Sequence, residues 1–187
     1  MDLKNYIKRY VEISDDEYEL FTSFLTQKSF KAKEKILDIG NRCHHRFYIK
    51  KGCVRFFSYN KGNEQIYHFA IDNWWITDYN SLLNNRPSNI IIETTEPTEV
   101  YMLSKQNFEL LCLALPKTER LFRIIMERAY IAFQKRLEFL YNLTSEEQYK
   151  DFIQDNSEFV QRVPQYMLAS YLGVTPEFIS KIRSKIE

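Results

Sequence analysis

A group of polar side chains near the end of the sequence has the residue types and the spacing needed to read the edges of DNA base pairs. The group is Glu177, Ser180, Lys181 and Ser184. In a helix, with a rotation of about 100° per residue, these positions fall on one face. A carboxylate can accept a hydrogen bond from the amino group of cytosine, and a lysine can donate to the acceptors of guanine. The pattern therefore indicates recognition of duplex DNA through the major groove.

The helix that must carry this face has clear start signals and a second, apolar face. Thr175 is a good N-cap, Pro176 suits the first helical position, and Glu177 stands in the first turn, where the helix dipole favours a carboxylate. The opposite face carries Ile179, Ile182 and Ile186. We therefore expect a helix over 176–186 that buries its isoleucines and exposes its polar face.

Another helix is expected just before it, over 165–172. Two helices that cross through a short turn need a small residue at the crossing and a turn residue that reaches positive φ. Ala169 and Gly173 meet these needs, and the residues that can seal the crossing are Leu168, Leu172, Val174 and Ile179. The pattern predicts a helix-turn-helix, with Arg183 and Lys185 contacting DNA phosphates from the flanks. An ordinary helical hairpin, with a surface ion pair on its second helix, is the alternative.

A long helix is predicted over 116–143. Its inward positions alternate three and four residues apart, which is the spacing of a seam between two paired helices. The expected dimer seam is Phe122, Ile125, Ala129, Ala132, Arg136 and Phe139. A further apolar face contains Tyr130, Ile131, Phe133 and Leu137, so a single helix lying on the preceding domain is the alternative. A helix with two apolar faces needs two surfaces to pack on, and we expect a second subunit to supply one.

The region before this helix has a β pattern. From Ser29 to about Leu103, short apolar or alternating runs end at turn residues roughly every ten residues, which is typical of a β-barrel or sandwich. A short helix precedes the strands, since Ser14 and Glu17 have the spacing of a capping box. The same signal recurs in Thr144-Ser-Glu-Glu147, after the long helix.

The composition limits the classes of protein to consider. The 187 residues suffice for one medium and one small domain. A net charge of +1 gives no overall sign of nucleic-acid binding, so a DNA interface has to rest on local pattern. The three widely spaced cysteines suit neither a disulfide framework nor a metal site. No membrane span or signal peptide is visible, and we expect a cytoplasmic protein without metal or cofactor.

Three segments carry a family likeness: Ile49-Lys-Lys-Gly52-Cys-Val-Arg55, Ser145-Glu-Glu-Gln-Tyr149 and Ala169-Ser-Tyr-Leu-Gly-Val-Thr-Pro-Glu-Phe-Ile-Ser-Lys181. In these segments and in the order of its elements, the chain resembles the cyclic-AMP receptor protein / fumarate-nitrate regulator (Crp/Fnr) family. The resemblance implies an α+β fold. Its parts are a cyclic-nucleotide-binding-like β-barrel (a jelly roll, or double-stranded β-helix) over 1–115, a dimerisation helix over 116–143, and a winged-helix-like helix-turn-helix domain over 144–187. We expect that last domain to lack the family's usual β-hairpin wing.

The resemblance also implies a homodimer that reads a near-palindromic operator in duplex DNA and regulates transcription. Its other implied partners are RNA polymerase and an unidentified small-molecule effector. By position, the family's base-reading residues fall on Pro176, Glu177 and Lys181, and its phosphate contacts on Gln165 and Tyr166. Pro176 stands where arginine is usual in the best-studied branch, so we expect a different operator. The expected DNA-binding residues are Gln165, Tyr166, Thr175, Pro176, Glu177, Ser180, Lys181, Arg183 and Lys185.

The segment that matches the family's nucleotide pocket departs from the pattern. Asp78 can still reach a ribose hydroxyl, but Ser88 stands where the phosphate-binding arginine is expected. A buried phosphate without a bidentate cation is costly, so we predict no tight cyclic-AMP binding. Arg86 is a candidate substitute for the missing arginine. The effector pocket is assigned to Asp78, Arg86, Ser88 and Asn89.

Two other functions compete with a DNA-binding regulator. A cupin-type metalloenzyme has a similar barrel, but it needs two histidines and a carboxylate that converge, and His44 and His45 are adjacent while His68 is alone. A partner-binding module with a vestigial helix-turn-helix fits the modest local charge, with four basic against two acidic residues over 160–187. We expect no catalytic residues and no enzymatic activity.

Overall fold

The computed structural model describes residues 2–155 and 157–186, with the side chains of all of these except 140, 155, 157–159, 183, 185 and 186. The helices are α1 (Leu3–Lys8), α2 (Asp15–Ser23), α3 (Tyr79–Asn84), α4 (Lys105–Ala114), α5 (Lys117–Asn142), α6 (Ser145–Asp155), α7 (Ser157–Arg162), α8 (Gln165–Leu172) and α9 (Pro176–Ile186). The strands are β1 (Thr26–Phe30), β2 (Lys35–Leu37), β3 (His45–Lys51), β4 (Cys53–Asn60), β5 (Asn63–Ile71), β6 (Trp75–Ile76), β7 (Ile91–Thr94) and β8 (Thr98–Ser104).

The strands form two four-stranded sheets, in the orders β1-β8-β3-β6 and β2-β7-β4-β5. Apolar side chains from both sheets meet in one core that includes Phe30, Phe47, Ile49, Val54, Ile92 and Val100. This arrangement is an antiparallel sandwich of the jelly-roll kind. The α+β fold and the jelly roll are confirmed, but the sheets do not close into one barrel.

Tertiary contacts divide the chain into two units. The first comprises Met1–Phe56 and Phe69–Glu127, and the second comprises Phe57–His68 and Arg128–Glu187. The division differs from the predicted domain boundaries because the hairpin of β4 and β5 and the long helix α5 each contribute to both units.

In the first unit, helices pack on the sandwich around a second apolar core. Helix α2 starts at the predicted capping box: the Glu17 N–H donates to Ser14 Oγ at 3.2 Å, and the Ser14 N–H donates to Glu17 Oε2 at 2.8 Å. The core joins α1, α2, α4 and the start of α5 to β3 and β8 through Tyr6, Phe21, Tyr48, Leu103, Leu111 and Leu121. The predicted N-terminal helix is therefore a structural part of this unit.

The second unit is helical apart from its share of the hairpin. Helix α6 starts at the second predicted capping box, where the Thr144 N–H donates to Glu147 Oε2 at 2.8 Å. Hydrogen bonds from the Thr144 side chain and backbone lower the pKa of Glu147. The core of the unit is formed by Tyr149, Leu168, Ala169, Leu172, Ile179 and Ile182.

Candidate nucleic-acid interface

Helices α8 and α9 have the bounds that the sequence predicts for a helix-turn-helix. Between them, Gly173 adopts φ 72°, which a glycine reaches without steric cost. The Val174 N–H then donates to the Ala169 carbonyl at 3.0 Å, closing the end of α8. Ala169 itself is buried at 1% exposure in the shared core, as expected for a small residue at a crossing.

Helix α9 begins at the predicted cap and buries the predicted face. Thr175 Oγ1 accepts a hydrogen bond of 3.2 Å from the Phe178 N–H, so it satisfies one of the free donors of the first turn. Ile179 and Ile182 are buried at 0% and 2% exposure in the core of the second unit. Burial of this face fixes the rotation of the helix, and the opposite face points to solvent.

The solvent face of α9 contains the predicted base-reading side chains. Glu177, Ser180, Lys181 and Ser184 are all exposed. Among the described residues, neither Glu177 nor Lys181 forms an ion pair, although they stand four apart in the helix. Their charges are therefore available to an external ligand.

The first turn of α8 lies beside this face. Gln165 Nε2 donates to Ser180 Oγ at 3.0 Å, so the predicted phosphate contact and a predicted base contact touch each other. Tyr166 is 50% exposed, and Pro164 gives the start of α8 no side-chain cap. The backbone N–H groups of an uncapped first turn can bind an anion such as a phosphate.

The remaining predicted DNA contacts fall into two groups. Thr175 and Pro176 are exposed at the start of α9. The side chains of Arg183 and Lys185 lie outside the described residues. The structure thus brings Gln165, Ser180, Glu177, Lys181 and Tyr166 onto α8 and α9 of one motif, and it is silent on the two flanking cations.

A hydroxyl of α8 connects the motif to the hairpin of its own unit, which the sequence did not predict. Ser170 Oγ donates to the Glu64 carbonyl at 2.7 Å and accepts from the Ile66 N–H at 3.1 Å. Gln65 Nε2 also donates to the Ser170 carbonyl at 3.1 Å. The pairing joins positions more than a hundred residues apart, so no local pattern could reveal it.

Arg136 of α5 also contacts α8 within this unit. Its guanidinium donates to the Tyr171 carbonyl and lies 3.9 Å from the centroid of the Tyr171 ring. Burial lowers the pKa of Arg136 and raises that of Tyr171. Arg136 is therefore engaged inside its own subunit instead of in the predicted dimer seam.

The other seam residues divide in the same way. Phe122 packs in the first core, with ring centroids 4.9 Å from both Trp75 and Phe108, and Ile125 packs against that core. Phe139 packs against the core of the second unit. Only Ala129 and Ala132 of the predicted seam are exposed. Phe122, Ile125, Arg136 and Phe139 make intrachain contacts, because the domain cores take up the apolar side chains at both ends of α5, and the dimer seam stays a prediction.

The predicted effector pocket is also built differently from the expectation. Asp78 caps α3, accepting from the Ser81 N–H at 3.1 Å, and it accepts from Ser88 Oγ at 2.7 Å. Asp78 and Ser88 are buried at 6% and 1% exposure. Both side chains are therefore used by the fold: Asp78 accepts from Ser81 and Ser88, and the Ser88 hydroxyl also accepts from the Ile90 N–H.

The two other predicted pocket residues are not buried with this pair. Arg86 and Asn89 are exposed, and the Arg86 carbonyl accepts from Ser81 Oγ at 2.6 Å. The same Ser81 hydroxyl accepts from the Cys43 N–H at 2.8 Å. The segment that holds the nucleotide phosphate in the family is here a closed hydrogen-bond network.

Two absences bear on the alternatives raised by the sequence. Within residues 2–155 and 157–186, no three His, Cys, Asp or Glu side chains converge as a metal site requires. In the same ranges, no helix combines the length and the apolar character needed to span a membrane.

Comparison with known proteins identifies the first domain. Residues 27–114 match the family model described as the cyclic nucleotide-binding domain. No curated protein sequence matches the chain significantly.

Solved structures share the fold of nearly the whole chain. FixK2 from Bradyrhizobium japonicum is 16% identical with a TM-score of 0.74, covering 87% of this chain and 84% of its own. The c-di-GMP-responsive global regulator CLP of Xanthomonas campestris is 14% identical with a TM-score of 0.75, over 92% and 91%. A protein described as a transcriptional regulator of the Crp/Fnr family, from Eubacterium rectale, is 14% identical with a TM-score of 0.71, over 95% and 85%. Residues 27–114 are therefore similar to a cyclic nucleotide-binding domain, and the chain shares its fold with these solved structures, among them a regulator described as Crp/Fnr.

Proposed function

We propose that the chain is a sequence-specific, DNA-binding transcriptional regulator whose helix α9 enters the major groove. The observation that carries this proposal is the division of α9 into two faces. Ile179 and Ile182 are buried, whereas Glu177, Ser180 and Lys181 are exposed and free to contact base edges. Catalysis has no part in the proposal.

The contacts to the DNA backbone are assigned to the start of α8 and to the flanks of α9. Tyr166 and the uncapped N–H groups of α8 suit a phosphate, and Gln165 holds Ser180 in position between the helices. Arg183 and Lys185 complete the set by sequence position. Pro176 has no side-chain donor, so the base pair beneath it is read through Glu177 and Lys181 or left unread.

Two copies of the chain are proposed to bind one near-palindromic operator. Helix α5 exposes Tyr130, Ile131, Phe133, Leu137 and Tyr141. Four of these, at positions 130, 133, 137 and 141, repeat at intervals of three and four along one side, as in a helix pair. The proposed seam is this stripe, with Ala129 at its edge, whereas Ala132 lies on another side of α5 with the seam expected from the sequence.

The controlling ligand is proposed to differ from cyclic AMP. Asp78 and Ser88 bind each other, and Ser88 stands where the family resemblance places the phosphate-binding arginine. The regulator is proposed to act in the cytoplasm and to affect RNA polymerase at promoters, in keeping with the family it resembles in fold.

Selection of genomic DNA tests the DNA-binding proposal. The purified protein is mixed with sheared genomic DNA, with and without cell extract to supply an effector, and the retained fragments are sequenced. We expect an enriched palindrome with half-sites about one helical turn, ~34 Å, apart. Affinity for that site should fall steeply as salt rises, with a slope set by the number of phosphate contacts.

The same selection distinguishes the alternative of a partner-binding module. Such a module has no enriched DNA sequence under either condition, and its partner binding need not follow the salt dependence of phosphate contacts. Absence of enrichment with extract present would therefore overturn the regulator proposal.

A further inference from the structure

The first unit contains a pocket that the proposed DNA-binding function does not use. It has a volume of about 240 Å³ and opens between β1, β2 and β3. Its floor is apolar and buried, formed by Phe30, Leu37, Cys43 and Phe47. A pocket of this kind, apolar inside and polar at the mouth, has the construction of a small-molecule site.

The mouth of this pocket carries positive charge without compensation. Its permanent cations are Lys28 and Arg42, and the imidazoles of His44 and His45 stand beside them. No acidic residue lines the pocket, and none of these four side chains has an ion-pair partner within the described ranges of the chain. Lys28 Nζ instead lies 4.5 Å from the centroid of the Phe30 ring, at the edge of the apolar floor.

The imidazole of His45 lies close to these positive charges. It is half-buried, and its pKa is lowered by desolvation, then by the nearby His44 and Lys28. The part of this shift that comes from His44 and Lys28 indicates a local positive potential at the pocket mouth, which attracts anions.

We infer that this pocket binds a small organic carboxylate, with the carboxylate at the basic mouth and an apolar body on the phenylalanine floor. A cavity of about 150 Å³ lined by apolar side chains holds benzene. The volume of about 240 Å³ therefore accommodates a single aromatic ring with a carboxylate, or an aliphatic acid of similar size. Arg42 supplies a planar fork that matches a carboxylate, and Lys28 adds a point charge.

The pocket is separate from the Asp78 and Ser88 pair, but Cys43 connects the two places. The Cys43 side chain lies in the pocket floor, while its N–H donates to Ser81 Oγ and its Sγ lies 3.2 Å from Thr77 Oγ1. A ligand that moves the segment just before β3 would therefore disturb the hydrogen bonds of Cys43 with Ser81 and Thr77. A small organic carboxylate is an effector class that does not require the phosphate-binding arginine missing at Ser88.

The test uses sodium benzoate and its uncharged analogue benzyl alcohol as probes. Each is titrated into the full chain, without DNA, while amide and histidine ring signals are followed by NMR. We expect saturable shifts at His45, Phe47 and Leu37 with benzoate, and at least tenfold weaker binding of benzyl alcohol. Benzoate should also raise the pKa of His45, because an anion favours the imidazolium.

Matched variants locate the charge that matters. Arg42→Gln removes an exposed cation at the mouth, and Lys8→Gln removes an exposed cation on α1, outside the pocket. We expect benzoate to bind about tenfold more weakly to the Arg42→Gln protein, the usual size for loss of a charge-assisted hydrogen bond, and unchanged to the Lys8→Gln protein.

Three results would overturn the inference: no saturable shift with benzoate, equal binding of benzyl alcohol, or equal benzoate affinity of both variants. Since both arms are measured without DNA, their failure leaves the DNA-binding proposal untouched. Conversely, a selection that enriches no operator sequence would not affect the benzoate result.

Discussion

The hydroxyl of Ser88 donates a hydrogen bond of 2.7 Å to Oδ2 of Asp78, and both side chains are buried. The family resemblance predicted that these positions face a ligand. Here the one Ser88 proton is directed to Asp78, and Ser88 Oγ in turn accepts from the Ile90 N–H at 2.9 Å. We therefore expect the loss of this hydrogen bond to lower the stability of the first unit instead of its affinity for a ligand.

Ser88→Ala should therefore destabilise the first unit. Removing the hydroxyl leaves a buried carboxylate short of one donor, at a cost of about 1–3 kcal/mol in the free energy of unfolding. Urea unfolding measures it, with Ser29→Ala as the control because Ser29 is exposed in β1. Equal effects of the two variants would contradict the role of the pair.

In calorimetry, we expect the unmodified chain to bind no cyclic AMP in the micromolar range.

Lys181→Ala should relax the preference for one base pair in each operator half-site. Loss of a direct base contact costs about 1–3 kcal/mol at that position and little elsewhere. Binding to a panel of single-base operator variants measures the effect. The control is Lys150→Ala, since Lys150 pairs with Glu146 on α6. Uniform weakening over all sequences would instead make Lys181 a phosphate contact.

Ser170→Ala should loosen the hairpin at residues 64–66 from α8. The variant leaves the Ile66 N–H without its acceptor, and Ile66 is buried, so about 1–3 kcal/mol of local stability is lost. Hydrogen exchange measured by mass spectrometry should be faster over the hairpin and α8. Ser184→Ala is the control, because the Ser184 hydroxyl only donates to a carbonyl of its own helix. Unchanged exchange in the Ser170 variant would show that the contact contributes nothing.

Phe133→Glu should shift the chain from dimer to monomer. Phe133 is 57% exposed on the stripe of α5 proposed as the seam, and a charge there would be buried without a partner in a dimer. Sedimentation equilibrium gives the association constant. Lys135→Glu places the same side chain on the opposite, exposed side of α5 and should leave the dimer intact. A dimer unaffected by Phe133→Glu would move the interface elsewhere.

The stability of the first unit should fall in mild acid because of His45. Desolvation and nearby positive charge place the folded pKa below the ordinary value of 6.5, so the unfolded chain binds the proton more readily. The contribution of neutral His45 is complete above that ordinary value and is lost as the pH falls through the lowered folded pKa. Urea unfolding at pH 7.5 and pH 5.5, about one unit on each side of the histidine pKa, should show a smaller loss for His45→Gln than for the unmodified chain. His44→Gln, at an exposed position, is the matched control. An equal loss in all three proteins would contradict this account.

The helix-turn-helix is the part that the sequence determined most completely. Thr175, Pro176, Gly173 and the spacing of Ile179 and Ile182 act within a few residues, so local geometry alone predicts both helices and the exposed face. The capping boxes before α2 and α6 were predictable for the same reason.

Tertiary structure decided the features that depend on contacts distant in sequence. The periodicity of α5 is compatible with several apolar faces, and only packing against Trp75 and Phe108 assigns Phe122 to a core and leaves Phe133 exposed. Likewise, the hydrogen bond from Ser88 to Asp78 and the anchoring of Ser170 on Glu64 depend on which residues meet after folding. Residue types and spacing specify what a side chain can do, but the partner that takes up its hydrogen bonds or its apolar surface is set by the fold as a whole.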